Sequence, residues 1–208
     1  MNIIVALLAS YLIGSLSFGY MAGKLLRGID IRQYGSGNTG TTNIQRTLGT
    51  GPAIIVLLLD VAKGLAAVLL ARALTGVPSV EMLAGVLAVL GHNWPLFHRF
   101  KGGRGIATSI GVLLGLAWQV LLIAVAVGVT IIAVTRYVSL GSIIGVILVP
   151  ILMVVFDLPA LHILFGAVLA VFAVWRHRQN ISRLLAGTEN KLGGKASLVE
   201  KEKQVNER

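Results

Sequence analysis

The chain has 208 residues, 56% hydrophobic and 12% charged, with a mean hydropathy of +0.86, no cysteine and a formal net charge of +10. This charged share is roughly half that of a soluble domain and excludes one, and the missing cysteines exclude disulfides, thiolate catalysis and thiolate metal sites. The positive charge falls between long apolar runs, where it meets anionic headgroups at the membrane surface and not nucleic acid.

Residues 1–23 carry no charged side chain and are long enough to cross a bilayer. They lack the basic start and short apolar core of a cleavable signal, so they read as a retained first helix. Lys24, Arg27 and Arg32 follow, which puts that end in the cytoplasm and the N-terminus outside. Residues 24–50 form a loop around Gly35-Ser36-Gly37-Asn38-Thr39-Gly40-Thr41-Thr42-Asn43. Closely spaced glycines let the backbone take φ > 0 and turn its N–H groups inward, the geometry of an anion-binding nest. Arg46 adds a charge close by.

Gly51 and Pro52 open a second span running to about Ala71, with Asp60 and Lys63 three apart on one helical face. Charges at that depth are an internal ion pair or a support behind a polar site, and both readings stand. After an outer turn, where Arg72 departs from the charge rule, a third span runs from about Glu81 to Phe97. Gly91-His92-Asn93-Trp94-Pro95 closes it, and His98-Arg99-Phe100-Lys101-Gly102-Gly103-Arg104-Gly105 forms a second, more basic glycine loop.

The next run is uncharged for about 31 residues, where one crossing needs about 20. Charge asymmetry requires two spans with a turn near Ala117-Trp118-Gln119, since a single span would send every later basic residue outside. A sixth span over Ser139 to Phe156, an outer turn at Asp157 and Pro159, and a seventh over Ala160 to Trp175 follow. Arg176 to Arg183 then leaves the membrane as a helix. The expectation is an all-α integral membrane protein of seven transmembrane helices, N-terminus outside and C-terminus cytoplasmic. One membrane domain occupies residues 1–192, and residues 193–208 form a charged, disordered tail.

This topology gathers three anion-binding clusters at the cytoplasmic side. The first is the 35–46 loop. The second is Lys101 and Arg104 beside the helix starting at Ile106, and the third is His177 and Asn180, which share a helical face, with Arg183 one turn on. The acids are scattered, with no carboxylate pair and no metal-ligand spacing, and Ser36 lacks a nucleophile-elbow pattern. The residues therefore indicate one or two phosphorylated ligands near the acyl region of the inner leaflet and leave the reaction open.

These segments resemble, in order and spacing, the bacterial acyl-phosphate-dependent glycerol-3-phosphate acyltransferases. The resemblance rests on residues 35–43 with Arg46, on Leu59-Asp60-Val61-Ala62-Lys63-Gly64, and on Gly91 and His92 through Phe100 to Thr108. It extends to residues 176–184 with Gly187 and Glu189. The family has Lys where this chain has Arg104, which keeps the charge and replaces a point charge by a rigid fork.

The resemblance implies transfer of a fatty acyl group from acyl phosphate to the 1-hydroxyl of glycerol 3-phosphate, the first acylation of phospholipid synthesis. It implies a bacterial inner membrane location and no cofactor or metal. The substrates and membrane lipid are the expected partners, with other enzymes of phospholipid synthesis. Ser36, Gly37, Asn38, Gly40, Thr41, Asn43 and Lys101 are assigned to acyl phosphate, and Arg46, Arg104, Ser142, His177 and Asn180 to glycerol 3-phosphate. Ser36, His177 and Asn180 are the catalytic candidates, supported by Asp60, Lys63, His92 and Glu189. The hydroxyl proton goes either to His177 or to a phosphate oxygen of the donor. A transporter or exchanger of a phosphorylated metabolite is the alternative, and a scaffold subunit a third.

Overall fold

The computed structural model describes residues 1–193, and every regular element among them is a helix. The tail expected from residue 193 onward lies, past Gly193, outside the described residues.

The first expected helix is two: α1 (Asn2–Gly14) and α2 (Phe18–Arg27), separated where Ser17 leaves helical geometry at φ −96° and ψ 83°. The break leaves the Leu16 carbonyl without a helical donor, and the Lys63 ammonium takes it at 2.6 Å. The following loop is also more ordered than its composition suggests. It holds a single 3-10 turn at Ile31–Gln33 and the helix α3 (Thr41–Leu48). Ile31 and Ile44 anchor them, fully buried against Ala53 and Val56.

Two long helices follow, α4 (Thr50–Thr75) and α5 (Pro78–Asn93). The second ends four residues before the expected Phe97, because Pro95 disfavours helical geometry at the residue before it and Trp94 sits at φ −130° and ψ 71°. The uncharged run breaks at Ala117, as charge topology required, into α6 (Ile106–Leu116) and α7 (Trp118–Thr135). Then come α8 (Val138–Val155), α9 (Ala160–Arg176) and α10 (Arg178–Leu185), the last two meeting at 59°.

Glycines set the closest helix contacts. A Cβ on Gly64 would overlap the Thr108 carbonyl and one on Gly111 the Val61 carbonyl, so the backbones of α4 and α6 touch. Such contact is the usual means of association in lipid, where apolar burial between helices gains little. Beside them α1 packs on α5, and α7, α8 and α9 pack in sequence.

Side chains identify the two ends of the bundle. At one, Asn2 reaches the Leu74 carbonyl at 3.3 Å, and Arg72 binds Glu81 at 2.8 Å and the Gly115 carbonyl at 2.8 Å. Arg72, out of place by charge alone, is thus an ion-pair partner and the cap of α6. At the other end, Arg46 bonds the Asn190 carbonyl at 3.2 Å, and Leu192 N donates to the Arg136 carbonyl at 2.7 Å. The three polar clusters share that end. Among the described residues five helices qualify as membrane spans by length and apolarity, α1 and α2 counting as one, or up to 6 if α9 and α10 form one bent span; α6, with 11 residues, is shorter than any of these.

Candidate active site

The first glycine loop is built around Asn43. Its Nδ2 donates to the carbonyls of Ile31, Tyr34 and Asn38 at 3.3, 3.1 and 2.8 Å, and its Oδ1 accepts from Ser36 N at 2.8 Å. Gly35 and Gly37 have φ of 57° and 70°, which lets the chain wrap this side chain. Gly37 N donates to Tyr34 O, and Gly40 N donates to Asn38 Oδ1 at 2.7 Å. Several donors expected to face a phosphate are therefore spent inside the loop: the amides of Ser36, Gly37 and Gly40, and the Asn43 side chain. The Ser36 side chain is exposed, and Thr41 Oγ1 is buried with no partner.

The second loop sits on the end of α5. Gly103 N donates to the His92 carbonyl at 3.1 Å, and Arg176 clasps the turn from the other side. Its Nε and Nη2 donate to Gly103 O at 3.0 and 2.6 Å, and Nη2 to Gly102 O at 3.2 Å. Arg176 also lies over the Trp94 ring at 5.3 Å. Lys101 points away from this grip. It lines a polar cavity of about 330 Å³ with Gly37, Arg32 and Arg99, beside the first loop.

Glu189 organises the third cluster. Its Oε1 accepts from Ser139 Oγ at 2.8 Å and Asn180 Nδ2 at 2.7 Å, and its Oε2 from Arg183 Nε at 2.7 Å. Burial alone would raise this carboxyl, but the three donated bonds outweigh it and hold it below its ordinary value. A carboxylate only accepts, so Asn180 must turn its NH2 to Glu189, and its Oδ1 is buried without a partner. The His177 ring is buried, with Nδ1 2.7 Å from the Ala173 carbonyl. That carbonyl also only accepts, so the proton sits on Nδ1 and Nε2 of the neutral ring is an acceptor.

Arg46, Arg104, Arg176 and Arg183 all feel one another or Glu189. Burial pushes the Arg104 guanidinium down to about 10, Glu189 pulls it up, and the other arginines push it down. It stays cationic at neutral pH. Arg46 Nε is buried and unpartnered. Three guanidiniums about one carboxylate, those of Arg46, Arg104 and Arg183 about Glu189, leave an excess of positive charge that an anion would neutralise. No group of three His, Asp or Glu side chains among the described residues is placed to hold a metal ion.

One residue past Gly105, Ile106 begins the wall of an apolar groove of about 120 Å³ between α6, α7 and α8. Ser109, Ile110 and Leu113 continue that wall, and Ser142, Gly145 and Val149 line the opposite one. Ser142, expected among the polar groups, faces this groove, while Ser139 one turn earlier bonds Glu189. Sequence reasoning missed Ser139 and the grip of Arg176. The spacing of Ser139 and Ser142, three apart on a helix, was the available signal for the first.

Fold and site together define a multi-pass helical membrane protein whose anion-binding end opens into an apolar groove. The family model for glycerol-3-phosphate acyltransferase matches residues 4–187, and the chain belongs to that family. It is 51% identical over 200 residues to a glycerol-3-phosphate acyltransferase of Shouchella clausii, covering 93% of this chain and 98% of the relative. It is 49% identical to that of Gloeobacter violaceus, covering 91% and 94%. Among solved structures it is similar to PlsY (YgiH), an integral membrane glycerol 3-phosphate acyltransferase. The glycerol 3-phosphate form superposes with a TM-score of 0.88 at 37% identity, covering 93% of this chain and 96% of that one. The lysophosphatidic acid form gives 0.85 at 36%.

Proposed function

We propose that the chain transfers a fatty acyl group from acyl phosphate to the 1-hydroxyl of glycerol 3-phosphate, giving 1-acyl-glycerol 3-phosphate and inorganic phosphate. The carrying observation is the three guanidiniums of Arg46, Arg104 and Arg183 about Glu189, set at the mouth of an apolar groove. A substrate pair with two phosphates and one alkyl chain suits that arrangement. The solved relatives in glycerol 3-phosphate and lysophosphatidic acid forms support it.

Glycerol 3-phosphate is assigned to Arg46, Arg104, His177 and Asn180. The acyl phosphate headgroup is assigned to Ser36, Asn38, Thr41 and Lys101, with Gly37 and Gly40 shaping the loop and Asn43 bracing it. The alkyl chain lies along Ile110 and Leu113, past Ser142. The 1-hydroxyl oxygen attacks the acyl carbonyl carbon, and the bond from that carbon to the phosphate oxygen breaks. Acyl phosphate is a mixed anhydride with a good leaving group, so the enzyme mainly holds two anions side by side, which is worth up to roughly 7–11 kcal/mol in favourable cases.

Asn180 Oδ1 and His177 Nε2 are both acceptors, suited to orienting the hydroxyl. Glu189 is committed to three donors and is no base. The proton is therefore assigned to a phosphate oxygen of the donor, with His177 positioning the nucleophile.

Among the described residues the crossings are assigned to α1–α2, α4, α5, α6, α7, α8 and α9, seven in all. The Arg72 contact with Gly115 supports counting α6, since it ties the end of that helix to the end shared with Asn2. The basic loops at the other end support a cytoplasmic active site in a bacterial inner membrane.

Purified protein in detergent, given labelled acyl phosphate and glycerol 3-phosphate, tests this. Release of phosphate in step with 1-acyl-glycerol 3-phosphate is expected, and a carrier or scaffold gives neither. In the same assay His177→Ala is expected to lose turnover only mildly. Loss of nearly all turnover with both affinities intact would make His177 the base.

A further inference from the structure

Behind the Arg104 turn lies a buried charged cluster that the proposed chemistry does not use. Asp60 Oδ1 and Lys63 Nζ on α4 are 2.7 Å apart, with side chains 2% and 3% exposed. The pair is side-on, since Asp60 Oδ1 has no aligned hydrogen bond. The His92 ring of α5 joins them, with Nδ1 3.0 Å from Lys63 Nζ and 3.5 Å from Asp60 Oδ1. A buried ion pair gives little stability over well-packed apolar residues. The contact of α4 with α6 is made by Gly64 and Gly111 and does not need it.

The contacts of the cluster run toward the site. An ammonium only donates, so His92 Nδ1 accepts from Lys63 and the ring proton sits on Nε2. Nε2 faces Gly103, where an added Cβ would overlap it. The His92 carbonyl holds Gly103 N at 3.1 Å, and Arg176 closes the turn from the opposite side. Arg104 is the next residue.

We infer that Lys63 and His92 are positioning residues for glycerol 3-phosphate binding, acting through Arg104. Lys63, held by Asp60 and the Leu16 carbonyl, sets the plane and tautomer of the His92 ring. The ring sets the height of Gly103, and with Arg176 above there is one direction in which Arg104 leaves the turn. The inference rests on placing Arg104 at the phosphate of glycerol 3-phosphate.

Two near-isosteres separate the halves of the ring. His92→Asn keeps an acceptor where Nδ1 lies and removes the part that meets Gly103, while His92→Gln keeps a group where Nε2 lies. His92→Asn is expected to raise KM for glycerol 3-phosphate about 10- to 100-fold, since small misplacements of a binding group have effects of that order. Its kcat and its KM for acyl phosphate stay close to wild type, and His92→Gln restores the lost affinity in large part.

Arg104→Ala is run alongside. The double variant with His92→Asn is expected to be no worse than Arg104→Ala alone, because His92 works through that residue. Multiplying defects, or equal rises in both KM values, would overturn the inference. Should His92→Asn not fold, His92→Gln decides: a KM for glycerol 3-phosphate near wild type supports the inference, and a large rise overturns it. If Arg104→Ala leaves that KM unmoved, the site assignment itself fails. If Arg104→Ala raises it and His92→Asn does not, only the positioning role fails.

Discussion

Glu189 and two asparagines show how much at the residue scale depends on where carbonyls and carboxylates fall. Asn43 and Asn180 look alike in the sequence, each a short amide in a polar segment, and both read as ligands. Asn43 spends its whole amide on its own loop, whereas Asn180 gives its NH2 to Glu189 and keeps Oδ1 open. Residue type does not separate the two; the difference lies in which acceptors the folded chain brings against each amide. The spacing of Asp60 and Lys63 did show their pairing, but His92 comes from the next helix and only the fold brings it in.

Glu189 also sets a pH dependence. Its carboxyl titrates lower in the folded protein than in the unfolded chain, so its contribution is complete above its ordinary value of 4.5 and disappears as pH falls through the folded value. Glu189→Gln should unfold at lower temperature at pH 7, by the equivalent of about 1–3 kcal/mol for disrupted charge-assisted hydrogen bonds. The gap to wild type should close as the pH is lowered past 4.5, as followed by thermal unfolding in detergent.

At the scale of elements, charge topology was a better guide than local signals. It located the break at Ala117, where no proline or glycine stands at the turn itself. It was silent on the break at Ser15 to Ser17, since the first charge, Lys24, comes only well inside α2 and the opening run has no proline. Helix contact through glycine was equally hidden, because a glycine at a contact and one facing lipid read the same. The structure separates them and predicts opposite outcomes. Gly111→Leu should push α6 off the Val61 carbonyl and cost at least about 1–3 kcal/mol, as overpacked cores do. Gly51→Ala meets nothing within 4 Å and should be neutral or slightly stabilising, as an alanine in a helix is. Thermal unfolding of the two variants in one detergent checks both.

Among the described residues, charge is concentrated at one end of the bundle and the far end holds little beyond Arg72, Glu81 and Asp157. That end has a consequence for the lipid around it. With 11 residues, α6 rises only about 16 Å, against a hydrocarbon core of about 30 Å. Its last turn is tied to the half-exposed Arg72 guanidinium, which must keep contact with water. Counted as one of the seven proposed crossings, α6 would require the lipid beside its exposed Leu114 to thin, and the energy of such a hydrophobic mismatch grows with bilayer thickness. In vesicles of phosphatidylcholines of increasing chain length, turnover should decline as the bilayer thickens, and Arg72→Met should flatten the decline. On that count an enzyme built this way would slow as longer-chain lipids accumulate around it, a brake supplied by the thickness of the membrane itself.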